Sequence, residues 1–128
     1  MTVVLDASAL LAALNDEPGR DRVIQELDRA VMSVVNLAEV AAGLVAKGNS
    51  EVQARAALRA LGCPVADADE ELGLDAGLLR KLTKASGLSL GDRFCLALGR
   101  RLAAPVLTAD RTWLQVAEVC QVEVLLIR

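Results

Sequence analysis

The chain contains no histidine and no tyrosine, and it has only one phenylalanine, Phe94, and one tryptophan, Trp113. Without histidine there is no Ser-His-Asp triad, no imidazole acid or base, and little scope for a zinc site. Any chemistry must run on carboxylates, hydroxyls, lysine or arginine. The shortage of aromatic rings removes the stacking platform on which single-strand binders lay bases. Cysteine is sparse and odd in number: Cys63, Cys95 and Cys120 are widely spaced and form no CxxC pair. This suits small core thiols in a reducing cytoplasm better than a disulfide framework. Neither GxGxxG nor GxxxxGK[ST] occurs, so no phosphate loop and no nucleotide cofactor are expected. Long apolar runs are missing as well. The longest, Ala9 to Leu14, is broken by Asn15, Asp16 and Glu17, far short of the roughly 20 residues of a membrane span. No basic segment precedes it, so no signal peptide is expected and the location expected is cytoplasmic. Positive charge is not in excess either: 17 acids against 14 bases leave a net charge of −3, which provides no global field for nucleic acid.

What is present is apolar content. The 128 residues are 54% hydrophobic and 24% charged, with a mean hydropathy of +0.40. That length predicts one domain over residues 1–128 with a core of its own. Apolar content on this scale suits a parallel sheet buried on both faces, and a subunit interface. Val3-Val4-Leu5 stops at Asp6, and Ala7-Ser8-Ala9 leads into a helical pattern to Leu14, which predicts a first strand and helix. Val23, Ile24 and Leu27 mark an amphipathic helix. Ala30 to Val35 predicts a second strand, and Asn36 with Glu39 predicts a capping box opening a helix to about Lys47. A helix from Ser50 to Ala60 is followed by a short edge strand at Pro64-Val65-Ala66. The acidic run Asp67 to Glu71 predicts the first turn of a helix with Leu78, Leu79, Leu82 and Ala85 facing the core. Ser89 with Asp92 predicts a second capping box, opening a helix buried along Phe94, Leu98 and Leu102. Ala104 to Leu107, a helix over 111–118 and a last strand from Val122 to Ile127 complete an α/β alternation on a central parallel sheet of about four to five strands.

Four acids stand at junctions where a strand or loop passes into a helix: Asp6, Glu39, Asp92 and Asp110. Taken singly, each has an ordinary explanation as a helix cap. Taken together, acids at the ends of parallel strands converge on one edge, where Asp6 and Asp110 would repel each other unless a cation joins them. With oxygen ligands alone the fitting ion is Mg²⁺ or Mn²⁺. One or two such ions can activate water and stabilise the leaving oxygen of a phosphodiester.

The segments carrying these acids, Val4 to Leu10, Ser33 to Val40, Leu88 to Asp92 and Val106 to Trp113, resemble in order and spacing the four acidic motifs of PIN-domain nucleases, and the short chain is similar to the VapC toxins of bacterial toxin–antitoxin pairs. The resemblance spans almost the whole chain. It implies a PIN-like fold with Asp6, Glu39, Asp92 and Asp110 gathered around Mg²⁺ or Mn²⁺ as an RNA-cleaving centre. Ser8 and Thr108 would support the acids or a bound water, and Asn36 would precede the acidic helix position. It further implies a homodimer and a small antitoxin partner that blocks the site.

Arg93 and Arg100 lie seven residues apart on one face of the Asp92 helix, and Arg111 follows the fourth acid directly. Each is either part of a solvated face or, as RNA-binding candidates, part of a phosphate clamp, with Arg111 best placed. Trp113 fits a core anchor better than a base-stacking surface. The function expected is a metal-dependent endoribonuclease. The alternatives are a catalytically silent PIN-like interaction module and a metal-dependent phosphatase on small phosphoesters.

Overall fold

The computed structural model describes residues 1–128. The strands are β1 (Val3–Leu5), β2 (Ala30–Ser33), β3 (Val65–Ala66), β4 (Val106–Thr108) and β5 (Val124–Leu126), all parallel and ordered β3-β2-β1-β4-β5. The helices are α1 (Ala7–Leu14), α2 (Arg20–Glu26), α3 (Val34–Ala46), α4 (Glu51–Leu61), α5 (Glu70–Leu78), α6 (Arg80–Thr83) and α7 (Leu90–Leu102). The chain winds outward from β1 through β2 to β3, then returns to lay β4 on the other side of β1. The strand order therefore reverses between β1 and β4, and a crevice opens there at the carboxyl ends of the strands.

Burial follows the pleat of β1. Val3 and Leu5 join α1, α3 and α4 residues such as Leu10, Val40, Leu44 and Ala54 in one core layer. Val4 faces the other layer, with Leu72, Ala76, Leu96, Leu98 and Trp113. Strands buried on both faces read as continuous apolar runs, which accounts for the high hydropathy. Trp113 is fully buried, as a core anchor should be. No helix is long and apolar enough to cross a membrane.

Several expectations shift in detail. The cap of α3 is Ser33, whose hydroxyl accepts the Asn36 N–H, so Asn36 lies inside the first turn and Glu39 is free of any capping duty. The strand before it ends at Ser33 for the same reason. The core-facing stripe of α5 and α6 is Leu72, Ala76, Leu79 and Thr83, while Leu78, Leu82 and Ala85 point to solvent. The segment carries leucines on two faces, and the stripe that satisfies the 3.6-residue period through the buried positions begins at Leu72. On α7 the buried apolar side chains are Cys95, Leu96, Ala97 and Leu98, with Phe94 partly covered and Leu102 exposed. Residues 111–118 form a 3-10 turn at Arg111–Gln115 rather than a helix.

Candidate active site

The crevice is built from the residue that ends β1. Leu5 pairs in register with Leu107, which brings Asp6 level with Thr108 at the carboxyl edge. The Thr108 hydroxyl donates to Asp6 Oδ2 at 2.9 Å and the Ser8 hydroxyl donates to the same oxygen at 2.7 Å. Ser8 Oγ in turn accepts the Ala109 N–H at 3.0 Å, and Thr108 Oγ1 accepts the Asp110 N–H at 3.1 Å. The two hydroxyls thus lock the β1 end to the β4 end and set where Asp110 leaves the sheet. Asp6 occupies the N-cap position of α1 but makes no side-chain capping bond.

Glu39 is aimed by a relay from the neighbouring strand. Ser33 Oγ donates to Asn36 Oδ1 at 2.8 Å, and Asn36 Nδ2 donates both to Glu39 Oε1 at 2.8 Å and to the Gly91 carbonyl at 3.0 Å. Asn36 therefore ties α3 to the first turn of α7 and fixes Glu39 between them. The Glu39 carboxylate lies flat against Gly91, where a Cβ would overlap it. One residue further, Asp92 completes a reciprocal capping box with Ser89, as its spacing predicts. Asp110 caps the 3-10 turn, accepting the Thr112 N–H at 2.9 Å and the Thr112 hydroxyl at 2.7 Å.

Electrostatics joins these acids. Asp6 is only 5% exposed, and burial pushes its carboxyl up to about 6, against the lowering effect of the Ser8 and Thr108 hydroxyls, with the negative charge of Asp92 adding to the rise. Burial also raises Asp92, helped by Asp110 and opposed by its Ser89 bonds. The like charge that weighs on Asp6 is that of Asp92, while Asp110 is exposed and accepts from Thr112. Cys95, fully buried beneath the cluster, is raised far above the usual thiol range by burial and by Asp6, Asp92 and Glu39 together. None of the four acids takes part in any of the chain's ion pairs. No three of them stand close enough to enclose a metal as they lie. The donor set nevertheless suits a hard cation: carboxylate and hydroxyl oxygens only, one carboxylate buried, and none of them in an ion pair.

The arginines have partners of their own. Arg93, expected on a solvent or phosphate-facing surface, is 7% exposed, and its Nη1 donates to the Ala76 and Gly77 carbonyls at 3.1 and 3.3 Å. It closes the C-terminal end of α5, where orphan carbonyls and the helix dipole favour a cation. Arg101 pairs with Asp69 through two bonds of 3.0 Å, and Arg111 donates from Nη2 to the Arg128 carbonyl at 3.2 Å. The residues missing from the sequence-based candidates are Ser33 and Gly91. Ser33 was visible as a hydroxyl three residues before Asn36, whereas nothing in the sequence marks Gly91 as the seat of a carboxylate.

No curated protein matches the sequence significantly. Among solved structures, VapBC2 from Rickettsia felis bound to a promoter DNA fragment matches with a TM-score of 0.76 at 19% identity, over 98% of both chains. DNA-bound VapBC from Salmonella typhimurium matches with a TM-score of 0.76 at 16% identity, over 100% of this chain and 99% of that one. VapBC-5 from Mycobacterium tuberculosis, of the VapBC family of toxin–antitoxin systems, matches with a TM-score of 0.66 at 25% identity, over 100% and 99%. The PIN domain model matches residues 3–119. With nearly the whole chain inside that match, and the acids it brings to one sheet edge, the protein belongs to the PIN domain family.

Proposed function

We propose that the protein is a Mg²⁺- or Mn²⁺-dependent endoribonuclease, the toxin of a toxin–antitoxin pair. The observation that carries this proposal is the buried, raised and unpaired carboxylate of Asp6, flanked by Asp92 and Glu39 with no protein cation near enough to form an ion pair. A buried charge in that state calls for a partner. Asp6, Glu39, Asp92 and Asp110 would hold the ion, whose chemistry is to activate water and stabilise charge on the leaving oxygen of a phosphodiester. Ser8 and Thr108 hold Asp6 at the edge of the sheet, and Asn36 with Ser33 orients Glu39. Arg111 is the cation best placed to meet a substrate phosphate, since it is exposed and directly follows Asp110. The partner proposed is a small antitoxin, in keeping with the VapBC assemblies of the solved relatives. An apolar groove of about 590 Å³ between α3 and α4, lined by Val34, Leu37, Ala41, Val45 and Leu58, offers it a surface. A homodimer is part of the same proposal.

The test compares wild type, Asp6→Asn and Asp92→Asn on an RNA mixture and on a generic phosphomonoester. Cleavage of RNA by wild type alone is the expected result. Hydrolysis of the monoester but not the RNA would favour a phosphatase. Full RNA cleavage by either variant would overturn the assignment.

A further inference from the structure

Bases and acids are unevenly shared along the chain. Between Ala76 and Ala109 the net negative charge reverses: the segment carries six bases, Arg80, Lys81, Lys84, Arg93, Arg100 and Arg101, and one acid, Asp92. Pairing is uneven too. Five of the six bases before Ala76, all but Arg59, stand in ion pairs with carboxylates, whereas Arg80, Lys81 and Lys84 enter none. All three are exposed. Lys84 continues α6 in helical conformation, so Arg80 and Lys81, four and three residues before it, are its neighbours on the helix surface. Like charges at that spacing repel each other until an anion joins them.

The fold sets this cluster on the rim of the acid crevice. Arg93, next to Asp92 on α7, donates to the Ala76 and Gly77 carbonyls shortly ahead of α6. The 3-10 turn Lys84–Ser86 is tied to the turn headed by Asp110 through the Ser86 hydroxyl, which donates to Gln115 Oε1 at 3.1 Å. Gly87 and Leu88 then lead to Ser89, whose N–H and hydroxyl close the capping box with Asp92. Lys84 therefore stands on a short span fastened to the segments that bear Asp92 and Asp110.

A chain of net charge −3 with acids in its crevice repels a polyanion. A phosphate backbone needs local cations beside those acids. We propose that Arg80, Lys81 and Lys84 form a phosphate-binding rim that holds the backbone of single-stranded RNA next to the acid crevice. Contacts of this kind position a strand without reading its sequence, and they need no aromatic rings to stack bases. The assignment rests on RNA being the substrate, as proposed above, and adds the surface that brings the strand to the acids.

Fluorescence anisotropy of a labelled single-stranded oligoribonucleotide with the full chain in EDTA reads binding apart from cleavage, and cleavage of the same RNA is measured with Mn²⁺. The test variant is Arg80→Gln/Lys81→Gln/Lys84→Gln. The control is Arg59→Gln, an exposed and unpaired base on α4. The triple variant is expected to bind at least tenfold more weakly at low salt, with a circular dichroism spectrum like that of wild type. Its slope of log affinity against log salt is expected to fall by about 2, and its cleavage to suffer in KM rather than kcat. Arg59→Gln is expected to match wild type. Wild-type cleavage with unchanged affinity and salt slope in the triple variant, or an equal loss in Arg59→Gln, would overturn the rim and leave the nuclease reading in place. Rim-dependent binding without cleavage by wild type would support the rim and overturn the nuclease reading. No RNA binding by wild type would overturn both.

Discussion

Asp6 is held in place by two hydroxyls and penalised by its burial and by the charge of Asp92. Its rise from the ordinary 3.8 to about 6 corresponds to about 3 kcal/mol against the ionised form. Because the folded value lies above the unfolded one, its favourable contribution is complete below about pH 4 and is lost as the pH rises through about 6. Asp6→Asn is therefore expected to raise the Tm of the metal-free protein at pH 7 by a few degrees, and the gain should vanish near pH 4. Calorimetric scans at the two pH values check this, and a lower Tm at pH 7 would mean that Asp6 serves the fold. Gly91 gives the converse case. The group that a Cβ would meet is the far end of the Glu39 side chain, so Gly91→Ala is expected to leave Tm unchanged or slightly raised while displacing Glu39 and cutting the cleavage rate by about tenfold or more. Equal activity of Gly91→Ala and wild type would show that the Glu39 position is not critical.

Among the elements, those whose ends hold the acids were the most legible. An apolar run stopping at Asp6, and Ser89 three residues before Asp92, are local signals, and local signals survive folding. Glu39 looked like a capping residue only because Asn36 precedes it by three; the true cap, Ser33, lies one turn earlier and frees Asn36 to orient Glu39. The phase of α5–α6 was illegible because leucines occupy both sides, and only packing against α7 decides which side is inner. Arg93 was illegible for a related reason. Its sequence neighbours are polar and apolar by turns, and its partners, the Ala76 and Gly77 carbonyls, are more than a dozen residues away. With its Nη1 held by those carbonyls, Arg93→Met is expected to destabilise the protein by about 2 kcal/mol, read as a lower denaturation midpoint. The capping box at the head of α7 makes a smaller contribution: Ser89→Ala is expected to cost about 1 kcal/mol. A loss of that size in Arg93→Met, with RNA affinity unchanged in the folded protein, would place Arg93 in the scaffold. Weakened RNA binding without loss of stability would return it to the phosphate clamp.

On the scale of the whole molecule, the reversal of strand order between β1 and β4 does the assembling. It sets Asp6 and Thr108 on adjacent strand ends, seats α3 and α7 over the same edge, and so gathers residues separated by a hundred positions. The parallel sheet could be read from alternation alone, but the crevice depends on which strand returns beside β1, a fact no local pattern carries. Apart from the crevice, the molecule offers an apolar groove between α3 and α4, and it exposes Leu74, Leu78 and Leu82 on α5 and α6. The acids at the crevice are proposed to bind a hard divalent cation. Isothermal titration of the metal-free protein with Mn²⁺ at pH 7 tests it most directly. Saturable binding by wild type, weakening as the pH falls below about 6 and abolished in Asp6→Asn, is the predicted result; no binding by wild type, or equal binding by Asp6→Asn, would contradict it.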